Sequence, residues 1–456
     1  MKKTLTIMCA SIIALGGLTM VSCGSKTDGG EANATADAVA KASKMTLAEL
    51  EAASKAEMEA SNDTFKVVGL TSTLDRGLKI LCQNYDWLHY EDEESGKKNT
   101  YCNNGYKDYL LLTALEQAED SYFADFALVQ DARSLADYAE DGLLHNYVPS
   151  DREELGLAEK DSAPLKGIHF NKIFFCNKNL MEKHSNKFTN IWQVAGRAED
   201  ERHLDNLSFQ SPVTEQINMS FLLSLYDTAN EARIAAAYKS YYGKDWSAND
   251  WLDDKNNPLY TSVADTYVQT FIKNIKTLHG SDGTCMKETQ CKEVVQEGND
   301  PYIYYGAFAK MKDAAGRVYD LDGDGTKETN AMTTVGWDME IEGFNGFMYT
   351  MYSQVVNNAK HPYTACLFAR FILTPEFYTN VIYSDKTPNS KGEESNQYGY
   401  YYPCTNTAGV GYNDLDWSKE EWMEVSVVED YNYLKDVSTT VVEDIKTAVA
   451  NRRTQL

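Results

Sequence analysis

The sequence predicts an α/β protein built as two lobes. Segments that read as buried strands alternate with segments that read as helices from residue 45 to beyond residue 370, and such alternation builds largely parallel sheets with helices on their faces. The chain has 456 residues, whereas single cores seldom grow past about 250–300 residues, so two cores are expected. No internal repeat interrupts the pattern.

The elements follow in order. Met1, Lys2 and Lys3 form a short basic start, and Leu5 to Val21 carry no charge. That run is too short and too rich in Gly, Ser and Thr to span roughly 30 Å of hydrocarbon, so it reads as a secretory segment that is removed. Met20-Val21-Ser22-Cys23 resembles the bacterial lipobox, which implies a signal peptide over residues 1–22, lipid on Cys23, and a site outside the cytoplasm on the cell membrane. An ordinary cleaved signal with a chance cysteine is the other reading. Residues 23–43, small and polar with no apolar period, read as a flexible tether.

From Met45 the pattern becomes helical, with Thr46 and Glu49 spaced as a capping box. "FKVVGLT" then reads as a buried strand and "STLDRGLKILCQNY" as a helix opened at Ser72 or Thr73. "FADFALVQ" is the next strand, followed by a helix "ARSLADYAEDG" that stops at Gly142. "GIHFNKIFFCN" is a further strand, and helices are expected near 213–241, 262–277, 345–359 and 361–372.

Charge and cysteines narrow the partners. Removing residues 1–22, which hold two lysines and no acid, takes the formal charge from -25 to -27. So acidic a body repels nucleic acid and anionic lipid headgroups. The 30 tyrosines and seven tryptophans fit both sugar or cation recognition and ordinary cores. Beyond Cys23, the mature chain has Cys82, Cys102, Cys176, Cys285, Cys291, Cys366 and Cys404, an odd number, so one thiol at least stays free. Cys285 and Cys291, six positions apart, are the expected disulfide. No spacing of Cys or His matches a zinc site.

Four stretches, taken in order, carry a resemblance. "LAELEAASKAEMEASNDTFKVVGLTST", "FADFALVQDARSLADYAEDGLLHNYVP", "PLKGIHFNKIFFCNKN" and "NNAKHPYTACLFARFILTPEFYTNVI" resemble successive landmarks of the extracytoplasmic solute-binding proteins of ABC importers, over residues 45 to 440. The resemblance implies a two-lobed, type II periplasmic-binding-protein-like fold, each lobe a mixed sheet flanked by helices, with hinge crossovers and a ligand between the lobes. It divides the chain into lobe 1, residues 44–165 plus about 334–395, and lobe 2, residues 166–333 plus 396–456. It implies a monomer that passes a small solute to an importer permease and needs no cofactor. Tethering beside that permease raises effective concentration.

Candidate contacts stand at strand ends and helix starts, where such ligands sit. Thr71 and Ser72 follow the first strand, Gln130 and Asp131 the second, and Asn177 the crossing strand. Each also suits a plain capping or turn role. Tyr304 and Tyr305 lie where the iron-binding branch of the family carries adjacent tyrosines, and an ordinary core role is the alternative. Trp337, Asp338 and Glu340 lie where the polyamine branch places a tryptophan and an acid, chemistry that suits an ammonium group; an alternating strand with exposed acids is the alternative. Organic cations, ferric iron and sugars all remain candidates.

"VYDLDGDGTKE" sets Asp320, Asp322 and Asp324 at positions one, three and five of a calcium-loop spacing, with Glu328 at nine and no acid at twelve. A structural calcium ion is one reading; an acidic hairpin turn is the other. No serine elbow, zinc-protease motif or phosphate loop is present, so an enzyme is not expected. A structural or adhesive surface lipoprotein is the alternative function, with a lipoprotein hydrolase behind it.

Overall fold

The computed structural model describes residues 34–69, 72–90, 98–105, 108–117, 121–177, 188–205, 207–279, 303–307, 318–319, 328–329, 332–334, 341–382, 387–388, 394–395, 401–405 and 419–453.

The folded body starts before the point the sequence predicts. A helix, α1 (Ala34–Ala42), occupies the second half of the expected tether and buries Thr35, Ala38, Val39 and Ala42. Their spacing is helical, but the residues are small enough to look like linker. α2 (Leu47–Ala60) follows, with both halves of the expected capping box: Glu49 N donates to Thr46 Oγ1 at 3.4 Å, and Thr46 N donates to Glu49 Oε2 at 2.8 Å.

The first lobe is then a parallel unit extended by antiparallel strands. β1 (Phe65–Gly69) leads through α3 (Ser72–Asn84) to β2 (Thr100–Asn103), and α4 (Asp108–Gln117) leads to β3 (Phe126–Val129). β1 lies between β2 and β3 and runs parallel to both. α5 (Ala132–Glu140) follows β3 and ends before Gly142, whose φ of 74° needs a residue without a Cβ, and β4 (Leu144–His145) follows.

β5 (Lys166–Asn177) carries the chain into the second lobe. There β6 (Leu207–Gln210) is followed by α6 (Gln216–Ser224), α7 (Thr228–Tyr242), α8 (Val263–Asn274), β7 (Thr277–His279) and β8 (Ile303–Ala307). β6 runs parallel to β7 and β8, and β8 runs antiparallel to β5. Phe209, Phe221, Phe271 and Tyr305 fill this lobe's core, with Phe221 and Tyr305 stacked at 4.8 Å. The flanks of the aspartate loop, β9 (Val318–Tyr319) and β10 (Glu328–Thr329), pair as an antiparallel hairpin, and β11 (Met332–Thr334) pairs with the end of β5.

β12 (Gly346–Val356) returns to the first lobe. Here the expectation of a helix over 345–359 fails, because the segment is a strand with all eleven residues buried. A strand covered on both faces shows no period-two alternation, so its apolar run reads like a buried helix. β12 pairs antiparallel with β5 along most of its length and with β3 at its far end, and the sheet runs β2-β1-β3-β12-β5-β8-β6-β7. The two half-sheets are mixed rather than mostly parallel.

The chain then packs back on both lobes. α9 (Pro362–Phe371) covers α1 and α2 in the first lobe, with Phe368 edge-on to Phe126 at 5.0 Å. After the small pair β13 (Thr387–Pro388) and β14 (Glu394–Ser395), β15 (Tyr401–Pro403) edges β5. α10 (Lys419–Val425) leads to β16 (Val427–Val428), parallel on β12. α11 (Tyr431–Lys435) touches α5 and α6, and α12 (Thr439–Arg453) packs on α8. Among the described residues no helix is long and apolar enough to cross a membrane.

Candidate functional site

The lobes meet along the middle of β5 and β12. β3 gives out opposite Tyr352 of β12, and β8 opposite Lys172 of β5, so the stretch between belongs to neither half-sheet. Its side chains form one aromatic face, where Phe170 stacks on Tyr349 at 5.6 Å and Tyr349 on Phe347 at 6.0 Å. The other face is polar, with His169 and Asn171 of β5.

From the first lobe, Gln130 and Asp131 reach this junction. Gln130 Nε2 lies 3.9 Å from Met351 Sδ on β12. Asp131 caps α5: Oδ1 accepts from Arg133 N at 3.1 Å and Ser134 N at 3.3 Å, and Oδ2 accepts from Ser134 Oγ at 2.7 Å. Much of its bonding capacity is therefore committed to the helix start. Nearby, Gly69 closes β1 so tightly against β3 that a Cβ would meet Leu128 O at 3.1 Å.

From the second lobe comes a pair that the sequence reading missed. Lys172, 3 % exposed, donates to Glu215 Oε1 and to Asn218 Oδ1, both at 2.9 Å, and Asn218 Nδ2 donates to Gln210 O at 2.7 Å. This ties the crossing strand to the start of α6 and to the carboxyl end of β6. The available signal was one lysine inside the apolar run "GIHFNKIFFCN".

Three further groups were not singled out. Burial holds His169 well below the ordinary histidine range, and its Nδ1 lies 3.0 Å from Thr350 Oγ1, so the ring is neutral. Asn171, 1 % exposed, has neither amide atom bonded among the described residues. Glu429, just after β16, accepts from Tyr352 OH at 2.8 Å and from Thr350 N at 3.1 Å, and burial pushes its carboxyl up to about 8. A junction holding orphaned amide and carboxyl atoms offers hydrogen bonds to a bound molecule or water.

Tyr304 and Tyr305 lie in the body of β8, both 1 % exposed. Tyr305 is enclosed by Phe174, Phe209 and Phe221, which makes it a core ring of the second lobe. Ser72 opens α3, Asn177 ends β5 and Glu328 starts β10. Cys23, Thr71, Cys285, Cys291, Asp320, Asp322, Asp324, Trp337, Asp338 and Glu340 lie outside the described residues. Among those described, no three acidic, His or Cys side chains converge as a metal site, and Cys82, Cys102, Cys366 and Cys404 are free thiols.

No known family's sequence profile matches the chain, and no curated relative does. Solved structures do match. The chain is similar to the periplasmic binding protein P5PA, at 10% identity and TM-score 0.51, over 85% of this chain and 100% of that one. Looser likenesses reach the Trichodesmium protein IdiA (FutA), solved with iron and citrate, and the spermidine/putrescine ABC transporter substrate-binding protein PotD from Streptococcus pneumoniae. The first is 14% identical at TM-score 0.48, over 85% of this chain and 99% of that one. The second is 9% identical at TM-score 0.49, over 86% and 99%. At such identities the likeness with P5PA establishes the fold alone: this chain has the two-lobed α/β architecture of a periplasmic binding protein.

Proposed function

We propose that the chain is a lipid-anchored solute-binding protein, held at Cys23 outside the cytoplasm, which captures a small solute between its lobes and delivers it to an ABC importer. The observation that carries this reading is the pair of long strands β5 and β12 shared by both half-sheets. Carboxyl ends of β3 and β6 and the starts of α5 and α6 converge beside them, the arrangement in which α/β sheets hold ligands. Two bodies joined by continuous strands can close by hinge motion, and a solute that contacts both shifts that equilibrium.

Within this reading Gln130, Asp131, Lys172 and Tyr349 line the solute's place, and Thr71, Ser72, Trp337, Asp338 and Glu340 are proposed as further contacts. The strong negative charge favours an organic cation or ferric iron, and the aromatic face suits a sugar as well. Calcium on Asp320, Asp322, Asp324 and Glu328 would serve structure, as would a Cys285–Cys291 bridge. Binding rather than catalysis is the work proposed, by one copy acting alone.

A thermal-shift screen of residues 24–456 tests this, against spermidine, ferric citrate, calcium and a sugar panel. A ligand at 100 times its Kd adds about 2.7 kcal/mol of stability, a clear rise in melting midpoint. One organic or ferric compound that raises the midpoint, with the effect reduced in Gln130→Ala or Tyr349→Ala, is the expected result. Calcium alone acting, or nothing acting across a wide panel, would contradict solute capture.

A further inference from the structure

The chain crosses between the lobes a third time. β16 lies on β12, and α11 then touches α5 of the first lobe and α6 of the second. Tyr433 OH donates to Leu223 O of α6 at 3.4 Å, while the Tyr431 ring sits 5.9 Å from that of Tyr352. This strap is fastened to the crossing strand by Glu429. Its backbone N donates to Met348 O at 2.8 Å, and its carboxyl accepts from Tyr352 OH and Thr350 N.

The other carboxyl oxygen of Glu429, Oε2, has no partner among the described residues, and the residue is 5 % exposed. Among the described residues, few ionisable groups lie around it. Tyr352 faces it from β12, Asp131 from the start of α5, and Lys166 from the start of β5. Lys166 is engaged by Asp161 at 2.8 Å, and on the strap itself Asp430 caps α11. An ionised Glu429 would thus be a buried anion near another carboxylate, with the lysine that faces it already paired.

We propose that Glu429 is a proton-controlled fastening between the lobes: as a carboxylic acid it holds the strap on β12, and once ionised it lets the strap lift and the lobes separate. A buried, uncompensated carboxylate is costly, and the cheapest remedy available is water, which reaches it only when the strap lifts. Burial and Asp131 raise the carboxyl's affinity for its proton, while the bonds from Tyr352 and Thr350 oppose them; the fastened carboxyl keeps its proton up to about 8 and a solvated one only to about 4.5, so the fastening weakens as pH rises between the two. The proposal needs only the two-lobed fold and stands or falls independently of any solute.

Amide hydrogen exchange over residues 427–436, corrected for intrinsic base catalysis, tests it together with small-angle scattering of residues 24–456 between pH 6 and 9.5. Wild-type protection should fall by up to about tenfold per pH unit from pH 6 and level off near 8, with a rise in radius of gyration over the same interval. Glu429→Gln, which stays neutral, should remain protected and compact throughout. Tyr352→Phe removes a bond that favours the ionised form, so its protection should go on falling to a higher pH before it levels off. Unchanged wild-type protection, opening of Glu429→Gln over the wild-type interval, or an unmoved levelling-off in Tyr352→Phe would each overturn the proposal. Should Glu429→Gln fail to fold, the Tyr352→Phe profile alone decides.

Discussion

At the scale of single residues, Lys172 separates what sequence can and cannot convey. A lysine within an apolar strand signals a buried partner, yet Glu215 and Asn218 lie more than forty positions away, and only the fold brings them to its ammonium group. Removing one member of a buried pair leaves the other uncompensated, which typically costs roughly 3–5 kcal/mol. Lys172→Met should therefore lower stability to urea by about that amount. Adding Glu215→Gln should restore part of it, and no restoration would mean the pair is not the source. Glu57 offers a second prediction. It accepts from the Tyr363 and Thr364 amides at the start of α9, but burial dominates and raises its carboxyl to about 7. Between its unfolded value near 4.5 and about 7 the folded state binds the extra proton. Its contribution to stability is thus present below that window and lost as pH rises through it, by up to about 1.4 kcal/mol per pH unit. Urea midpoints at pH 5 and 7 should show wild type losing more stability than Glu57→Gln over that interval; equal losses would contradict the assignment. Asp131 was legible as a helix cap from position alone, and the structure bears out the cap. Tyr305 was a ligand candidate because it lies where the iron-binding branch of the family carries adjacent tyrosines, and nothing in the sequence marks its burial in the second lobe's core.

At the scale of elements, β1, β3, β5, α2, α3, α5 and α9 were legible within a few residues, since each has a period, a cap or a glycine stop. The two misreadings share a cause. β12 is buried on both faces, and α1 buries small residues, so neither displays the polarity contrast on which periodicity depends. For α1 the difference is testable. It packs on α9, so deleting residues 24–43 should lower the melting midpoint, whereas deleting 24–33 should leave it nearly unchanged. Equal midpoints would return residues 34–42 to the tether. The cap of α2 provides a calibrated comparison: Thr46→Ala should cost about 1 kcal/mol in urea denaturation.

At the scale of the whole molecule, the order of landmarks in the sequence implied two lobes, and the sheet path shows how they join. The middle of β5 and β12 is shared by both, while β16 lies on β12 and α11 touches α5 and α6. Which solute the proposed site would take was not legible, because the proposed contacts are drawn from at least five separate segments. The most direct test of the account is small-angle scattering of residues 24–456, without and with the compound that raises the melting midpoint. Solute capture between hinged lobes predicts a smaller radius of gyration on saturation, and Gln130→Ala should need more compound to reach it. A saturated protein whose scattering curve is unchanged would place the compound elsewhere and contradict closure around a solute.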